Sequence, residues 1–472
     1  MSTELYDIVI IGGGPGGYVA AIRAAQLHVR VGLVEKDLLG GACLNRGCIP
    51  TKTLVESVEL FERTREAGEF GVDVSSYTAN FAQMMKRKDE VVRSLRAGVE
   101  ALMKAHRIEV FKGTGTILKP GLVRVAEAAG IGTEPGRREL RCKNIVIATG
   151  SQPAVLPIPG TKLPGVITST EALELTAIPR SMVVVGGGVT AVEFIRILRP
   201  LGTEMQIVKR TPKILPPVDE EIARRYAQML RAAGVEINAG ARVREIVSAG
   251  AGVRLVFDTD QGERSLEGEY LLMATGNEPY TQGVGLENVG IAMKKDGIAV
   301  DEYLQTNVPG IYAIGDVTGG HMLAHVASYQ GEIAVENAVG RRRKADYRSV
   351  PNCVFSSPEI AAVGLTEDEA SAAGIPYKVS RFPWSASSRA LTLGKTAGLV
   401  KYICEQETGR VLGMHIMGPH ASDIIAEGAL AIKMGATAMD IAETIHAHPT
   451  LPEAIREAAL GQLEGAIHYR RL

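Results

Sequence analysis

"DIVIIGGGPGGYVAAIRAAQLHVRVGLVEK", Asp7 to Lys36, decides the fold. An apolar, strand-like run ends in a glycine cluster. A small-residue helical run follows, and a second apolar run closes on an acid. That order is the βαβ unit that binds dinucleotides. Gly12, Gly14 and Gly17 each have a task in such a unit: the tight turn, the close approach of backbone to a pyrophosphate, and the packing of helix on strand. The helix start then offers its unpaired N–H groups to the phosphates. Glu35 ends the second strand, where a carboxylate accepts hydrogen bonds from a ribose diol.

The unit occurs twice. "SMVVVGGGVTAVEFIRILRPLGTEMQIVKR", Ser181 to Arg210, aligns with it without a gap. Gly186 and Gly188 stand where Gly12 and Gly14 stood, and Ala191 replaces Gly17. Lys209, followed by Arg210, takes the place of Glu35. Two cations there suit a 2′-phosphate better than a bare diol, although a solvated surface pair would read the same. Two further apolar runs end alike. "NIVIATGSQP" carries Thr149 and Gly150, and "YLLMATGNEP" carries Gly276. Both are expected to close a domain and carry the chain to the next. "GIYAIGDV" adds a strand ending at Asp316, an acceptor for a ribityl or ribose hydroxyl.

Length and composition narrow the classes. A chain of 472 residues predicts about three domains. Hydrophobic residues are 46%, charged residues 22%, and the net charge is −1. That balance is globular and offers no field for nucleic acid or anionic lipid. No apolar run is long enough for a membrane span. The first strand begins almost at once, which leaves no room for a leader peptide, and a reducing cytoplasm is the expected setting.

Cys43 and Cys48 are two of only five cysteines. No further ligand near them completes a metal site. A structural disulfide closing so short a loop would stabilise by only ~2 kcal/mol in the chain-entropy model. Five positions on a regular helix turn the second side chain away from the first, so a bond between them needs a distorted turn, which Gly47 can supply. Pro50 suits the first turn of a following helix. A thiol at that helix start has a lowered pKa. The pair is therefore expected to be redox-active. Far along the chain, "HAHPTLPE" offers His446, His448, Glu443 and Glu453 as acid–base groups. Two prolines there favour a compact turn that returns Glu453 to His448.

Taken together, "GGGPGGYVAAIRAA", "GGACLNRGCIPTK", "ATGSQP", "AIGDVTGGHMLAHVASYQG", "VPNCVFSSPEIAAVGLTE", "SRALTLGKTAGLVK" and "HAHPTLPEA" resemble the flavoprotein disulfide reductases over essentially the whole chain. They look most like the dihydrolipoamide dehydrogenase branch. The resemblance implies an α/β protein with two Rossmann-like domains and a C-terminal α+β interface domain. The expected boundaries are 1–150 for FAD, 151–276 for NAD(P), 277–348 for a central segment completing the FAD domain, and 349–472 for dimerisation. It implies FAD, with NAD or NADP as co-substrate: local residues favour NADP and the family favours NAD. It implies a homodimer with a shared active site, acting on a lipoyl-bearing protein or free dihydrolipoamide.

By position, Cys43 becomes the interchange thiol and Cys48 the thiol against the flavin. Lys52 lies beside the flavin and pairs with Glu193. His448 is the base, oriented by Glu453, and acts on the other subunit's disulfide. The chain ends "IHYRRL", without the cysteine tail of a mercuric or large thioredoxin reductase. An NADPH-dependent reductase of the glutathione reductase type is the nearest rival. A low-turnover flavin-binding sensor or complex subunit is the rival of another class. Asn277 departs from the arginine the family usually carries after the "ATG" turn.

Overall fold

The computed structural model describes residues 5–127 and 136–470. Leu5–Ile11 is buried from Asp7's neighbours onward, as a strand covered on both faces must be. It lies parallel between Val31–Glu35 and Arg137–Ile147. Glu109–Lys112 extends the sheet on one side. Ile311–Ala313 returns from far along the chain to pair parallel with Arg137–Ile147. Leu122–Ala126 and Thr114–Lys119 add antiparallel strands, completing seven.

The second fingerprint builds a second parallel sheet. Its order is Glu236–Asn238, Glu204–Val208, Ser181–Val185, Tyr270–Met273 and Val166–Ile167. An antiparallel sheet of Arg242–Ala249, Gly252–Thr259 and Gly262–Gly268 flanks it. The two "ATG" turns mark the crossings between the sheets, and they are stitched to each other. The Thr149 hydroxyl donates to the Tyr280 carbonyl at 2.6 Å, and the Thr275 hydroxyl to that of Ala154 at 2.5 Å. Ser151–Pro153 and Asn277–Pro279 then pair antiparallel.

The last third forms an antiparallel sheet in the order Asn352–Val354, Glu359–Gly364, Val411–Gly418, Leu399–Glu405, Tyr377–Pro383. The helix Ala421–Met434 packs against this sheet. One core spans all three regions. Leu54, Val55 and Val58 of the helix after Cys48 meet Val192 and Ile195 of the second fingerprint helix, with Val354 and Ile360 of the last sheet. This junction holds the cysteine helix in place.

Candidate active site

The glycines act as their spacing predicts. Gly12 has φ +110°, and a Cβ there would stand 2.2 Å from the Ala148 carbonyl oxygen. A Cβ on Gly17 would stand 1.8 Å from the Gly12 oxygen, so only glycine lets this helix sit on its strand. Gly14 faces open space apart from Gly41, 3.8 Å away. The helix Pro15–Gln26 has no side-chain cap, which leaves its first N–H groups to a ligand. The second copy repeats the turn at Gly186, φ +126°, and the opening at Gly188. Gly150 and Gly276 also take positive φ with nothing within 4 Å.

Glu35 and Asp316 hold acceptors at strand ends. Glu35 accepts from the Gly13 N–H at 2.6 Å and the Asp37 N–H at 2.7 Å. Asp316 accepts from the Ser151 hydroxyl at 2.5 Å. Burial pushes both carboxyls above their ordinary range, against those bonds.

Sequence reading left Gly40 and Gly41 unexplained, and the fold explains them. Both have positive φ, +94° and +60°, and a Cβ on Gly41 would lie 2.6 Å from Gly14 Cα. The Gly40 N–H donates to the Gly13 carbonyl at 2.9 Å. The cysteine segment is thereby laid against the first glycine turn. Cys43 follows in the short helix Gly41–Arg46, and Cys48 opens the helix Cys48–Arg65. Gly47 joins them. A Cβ there would crowd the Ala42 oxygen at 3.2 Å and Cys43 Cα at 3.4 Å.

Cys43 and Cys48 stand as free thiols, each shifting the other's proton. The Cys43 S–H donates to Cys48, which holds the Cys43 proton in place and, with burial, raises its pKa strongly. The same bond lowers Cys48. Burial opposes that shift, Lys52 assists it and Glu193 works against it. One thiol of the pair is thus prepared to be the thiolate. Lys52 donates to both Glu193 oxygens, at 2.7 and 2.8 Å. It also lies 4.7 Å from the centre of the Phe355 ring, and the Phe355 N–H donates to Glu193 at 3.3 Å. Arg196, one turn beyond Glu193, fastens the same two helices and was not singled out in the sequence. Its buried guanidinium reaches Glu59 at 2.8 Å and also Glu62, both on the cysteine helix. The signal for it was a charged residue within an otherwise apolar helical run.

His448 and Glu453 meet as expected. His448 Nδ1 lies 2.9 Å from Glu453 Oε1, and the Thr450 N–H donates to Glu453 Oε2 at 2.7 Å. A carboxylate only accepts, so Nδ1 carries the hydrogen and Nε2 is left as the base. Glu453 begins the helix Glu453–Leu460. Burial alone would raise its pKa, but the Thr450 N–H and His448 outweigh it and hold it low. Both residues line an open cavity of about 360 Å³. Cys43, Cys48, Lys52 and Glu193 do not line it, and the His448 side chain is 72% exposed. Within one chain the base and the thiols are not brought together.

Lys209 departs from the expectation. It is buried, and its stem runs so close to Gly187 that a Cβ there would meet its Cε at 2.4 Å. Its ammonium donates to the Thr211 carbonyl at 2.6 Å, the Thr211 hydroxyl at 2.8 Å and the Lys213 carbonyl. Burial lowers its pKa to about 8. An ammonium so satisfied is a strut for its own loop. Arg210 is exposed and has no hydrogen bond or ion pair among the described residues.

This arrangement, two dinucleotide folds with a thiol pair against the first phosphate turn, defines a class. The chain belongs to the pyridine nucleotide-disulphide oxidoreductases. That family's description matches residues 6–331, and its dimerisation domain matches residues 350–459. The chain is 42% identical to dihydrolipoyl dehydrogenase of Bacillus subtilis (strain 168), covering 99% of this chain and 100% of that protein. It is 39% identical to the mitochondrial dihydrolipoyl dehydrogenase of Pisum sativum, covering 98% and 92%. Among solved structures, LpdA from Mycobacterium tuberculosis superposes with a TM-score of 0.88 at 32% identity, covering 96% and 98%. The Cu(II) complex of the HOCl-induced flavoprotein disulfide reductase RclA from Escherichia coli gives 0.86 at 31%, covering 97% and 99%. Membership brings the use of FAD and a pyridine nucleotide, and the uncapped helix start and open glycines fit the phosphates of both. Among the described residues no cluster could hold a metal ion, and no helix is long and apolar enough to cross a membrane.

Proposed function

We propose that this chain oxidises a dihydrolipoyl dithiol and delivers the electron pair to a nicotinamide dinucleotide. The observation that carries this reading is the Cys43–Cys48 pair at a helix start, with one thiol lowered, the other raised, and the Lys52–Glu193 pair beside them.

The chain's own groups supply the dithiol chemistry. One substrate thiol gives its proton to His448 Nε2. Its thiolate attacks Cys43 Sγ of the oxidised pair, the Cys43–Cys48 bond breaks, and Cys48 leaves as thiolate. The second substrate sulfur, deprotonated in turn, displaces Cys43 and closes the substrate disulfide, and Cys43 leaves as a thiolate that takes a proton from the His448 imidazolium. Glu453 fixes the His448 tautomer and stabilises the imidazolium. Gly12, Gly14, Gly17, Glu35, Gly150 and Asp316 would hold the flavin dinucleotide, with Lys52 beside its ring. Thr149 supports that turn through Tyr280. The chemistry a bound flavin supplies is two-electron transfer between thiolate and nicotinamide.

The exposure of His448, and its separation from the thiols, support a homodimer in which each His448–Glu453 pair serves the partner's cysteines. The boundaries 1–150, 151–276, 277–348 and 349–472 suit that arrangement. A lipoyl-bearing protein or free dihydrolipoamide is the substrate, and a reducing, cytoplasmic setting suits the unpaired Cys142, Cys353 and Cys404.

For the nicotinamide, Gly186, Gly188 and Gly276 shape the site. Glu35 has no counterpart to accept from a ribose diol, and Lys209 is tied inward. We therefore assign 2′-phosphate recognition, and so a preference for NADP, to Arg210. An NADPH-linked reductase of glutathione disulfide is the second reading that Arg210 favours. Steady-state rates with dihydrolipoamide and glutathione disulfide, each with both nicotinamides, separate them. Full dihydrolipoamide oxidation by Cys43→Ser would refute the dithiol mechanism. A strong NADH preference untouched by Arg210→Glu would refute the coenzyme assignment.

A further inference from the structure

We propose that His468 is a second proton acceptor for the dithiol, set beside His448 by a histidine–glutamate pairing that repeats along one helix. Glu453 and Glu457 lie one turn apart on Glu453–Leu460, hence on one face. His448 Nδ1 meets Glu453 Oε1 at 2.9 Å, and His468 Nδ1 meets Glu457 Oε1 at 2.8 Å. Each pairing uses Nδ1, so each ring presents Nε2 as its free base. The two side chains are 72% and 71% exposed, and both line the same cavity. Glu453 senses the charge of both.

The other charged groups there do not duplicate this. His446 has both nitrogens engaged, Nδ1 with the Thr444 carbonyl at 2.8 Å and Nε2 with Glu427 at 3.0 Å, and its side chain is only 6% exposed. Arg456 cannot accept a proton, and its Nε–H is bound to the Ala442 carbonyl. Glu443 lines the cavity without a histidine partner.

Proton balance supplies the need, given the dithiol reading above, on which this inference rests. A dithiol closing to a disulfide releases two protons. At the mixed-disulfide stage His448 Nε2 already holds the first. The second sulfur must still lose its proton before it can displace Cys43. His468 Nε2, in the same cavity, is the group left to receive it. His448 then returns the first proton to Cys43 as that sulfur leaves, so one proton ends on Cys43 and one on His468. Glu457 offsets the charge that results, as Glu453 does for His448.

The test is His468→Asn, whose amide N–H can stand where Nδ1 stood and keep the Glu457 bond. Dihydrolipoamide oxidation is followed across the pH range in which histidines titrate. If both bases must be unprotonated, the acid limb of log kcat has slope two in the native enzyme and slope one in the variant. On the alkaline side the variant should turn over about tenfold slower, short of the ~10²-fold loss of a primary acid–base group. A native slope and rate in a variant that melts like the native enzyme would overturn the proposal. If His468→Asn does not fold, Glu457→Gln decides. It keeps an oxygen for the Ile467 and His468 N–H groups but withdraws the charge, and native behaviour there also overturns the proposal. His448→Gln separates the two levels. Undiminished oxidation in that variant removes the dithiol reading and this inference with it. A loss there, with native His468→Asn, removes this inference alone.

Discussion

Breaking the Lys52–Glu193 pair from its two ends should move the Cys48 thiol in opposite directions. The Cys43 S–H bond lowers Cys48 first, burial resists, and then Lys52 lowers while Glu193 raises. Lys52 lies one turn beyond Cys48 on the same helix, roughly 6 Å away between Cβ atoms. For charges about 6 Å apart at an effective dielectric constant of about 20, Coulomb's law gives about 3 kcal/mol, or about two pH units. The Lys52 side chain is 26% exposed, and screening by water reduces the effect to about one unit. Lys52→Met should therefore raise the Cys48 pKa by about one unit, reinforced by the Glu193 charge left unpaired. Glu193→Gln removes the opposing charge and should lower it by a fraction of that. The assay is the rate of Cys48 alkylation by iodoacetamide against pH, in a Cys43→Ala background so that only one thiol of the pair reports. Midpoints that move in the same direction, or do not move, would refute the claim that this ion pair tunes the Cys48 thiol.

Three further outcomes are expected. Gly17→Ala should yield protein lacking flavin absorbance near 450 nm, because a Cβ 1.8 Å from the Gly12 oxygen displaces the phosphate turn; full flavin content would contradict the packing argument. Arg196→Met should lower the unfolding free energy by ~2–3 kcal/mol, read from the shift of the denaturation midpoint. That lies at or below the low end for a broken buried pair, because Glu59 and Glu62 are 29% and 22% exposed; an unchanged midpoint would remove its bridging role. Burial would raise the Glu221 pKa, but Arg381 and Arg225 outweigh it and hold the carboxyl at about 2. Its stabilisation is complete above the unfolded value of 4.5 and is lost as pH falls toward 2. Acid denaturation of Glu221→Gln should be less steep in that window, and coincident acid limbs would show the carboxylate to be idle.

The sequence was most legible where function is written into neighbouring positions. Gly12, Gly14 and Gly17 declare a phosphate turn because only glycine tolerates the backbone angle and the close contact, and both requirements are local. The repeat at Gly186 follows the same logic. Cys43 and Cys48 could be read as a pair from their spacing, and His448 with Glu453 from the prolines between them. The direction Lys209 takes was not legible, because a residue's place at a strand end does not say which way its side chain turns. The turn is decided by the acceptors Thr211 and Lys213 provide, and by the space that Gly187 leaves.

Tertiary structure alone decided the rest, because the partners lie far apart along the chain. The Lys52–Glu193 pair joins the cysteine helix to the second nucleotide fold, and Arg196 fastens the same two helices a turn further on. Gly40 and Gly41 acquired a reason only when their turn came to rest on Gly14. The alignment of His468 with His448 is invisible in sequence. It exists because Ile467 and His468 fold back onto Glu457, one helical turn from Glu453. Local backbone chemistry determined what this protein is built from, and long-range packing decided which of its charges stand free to act.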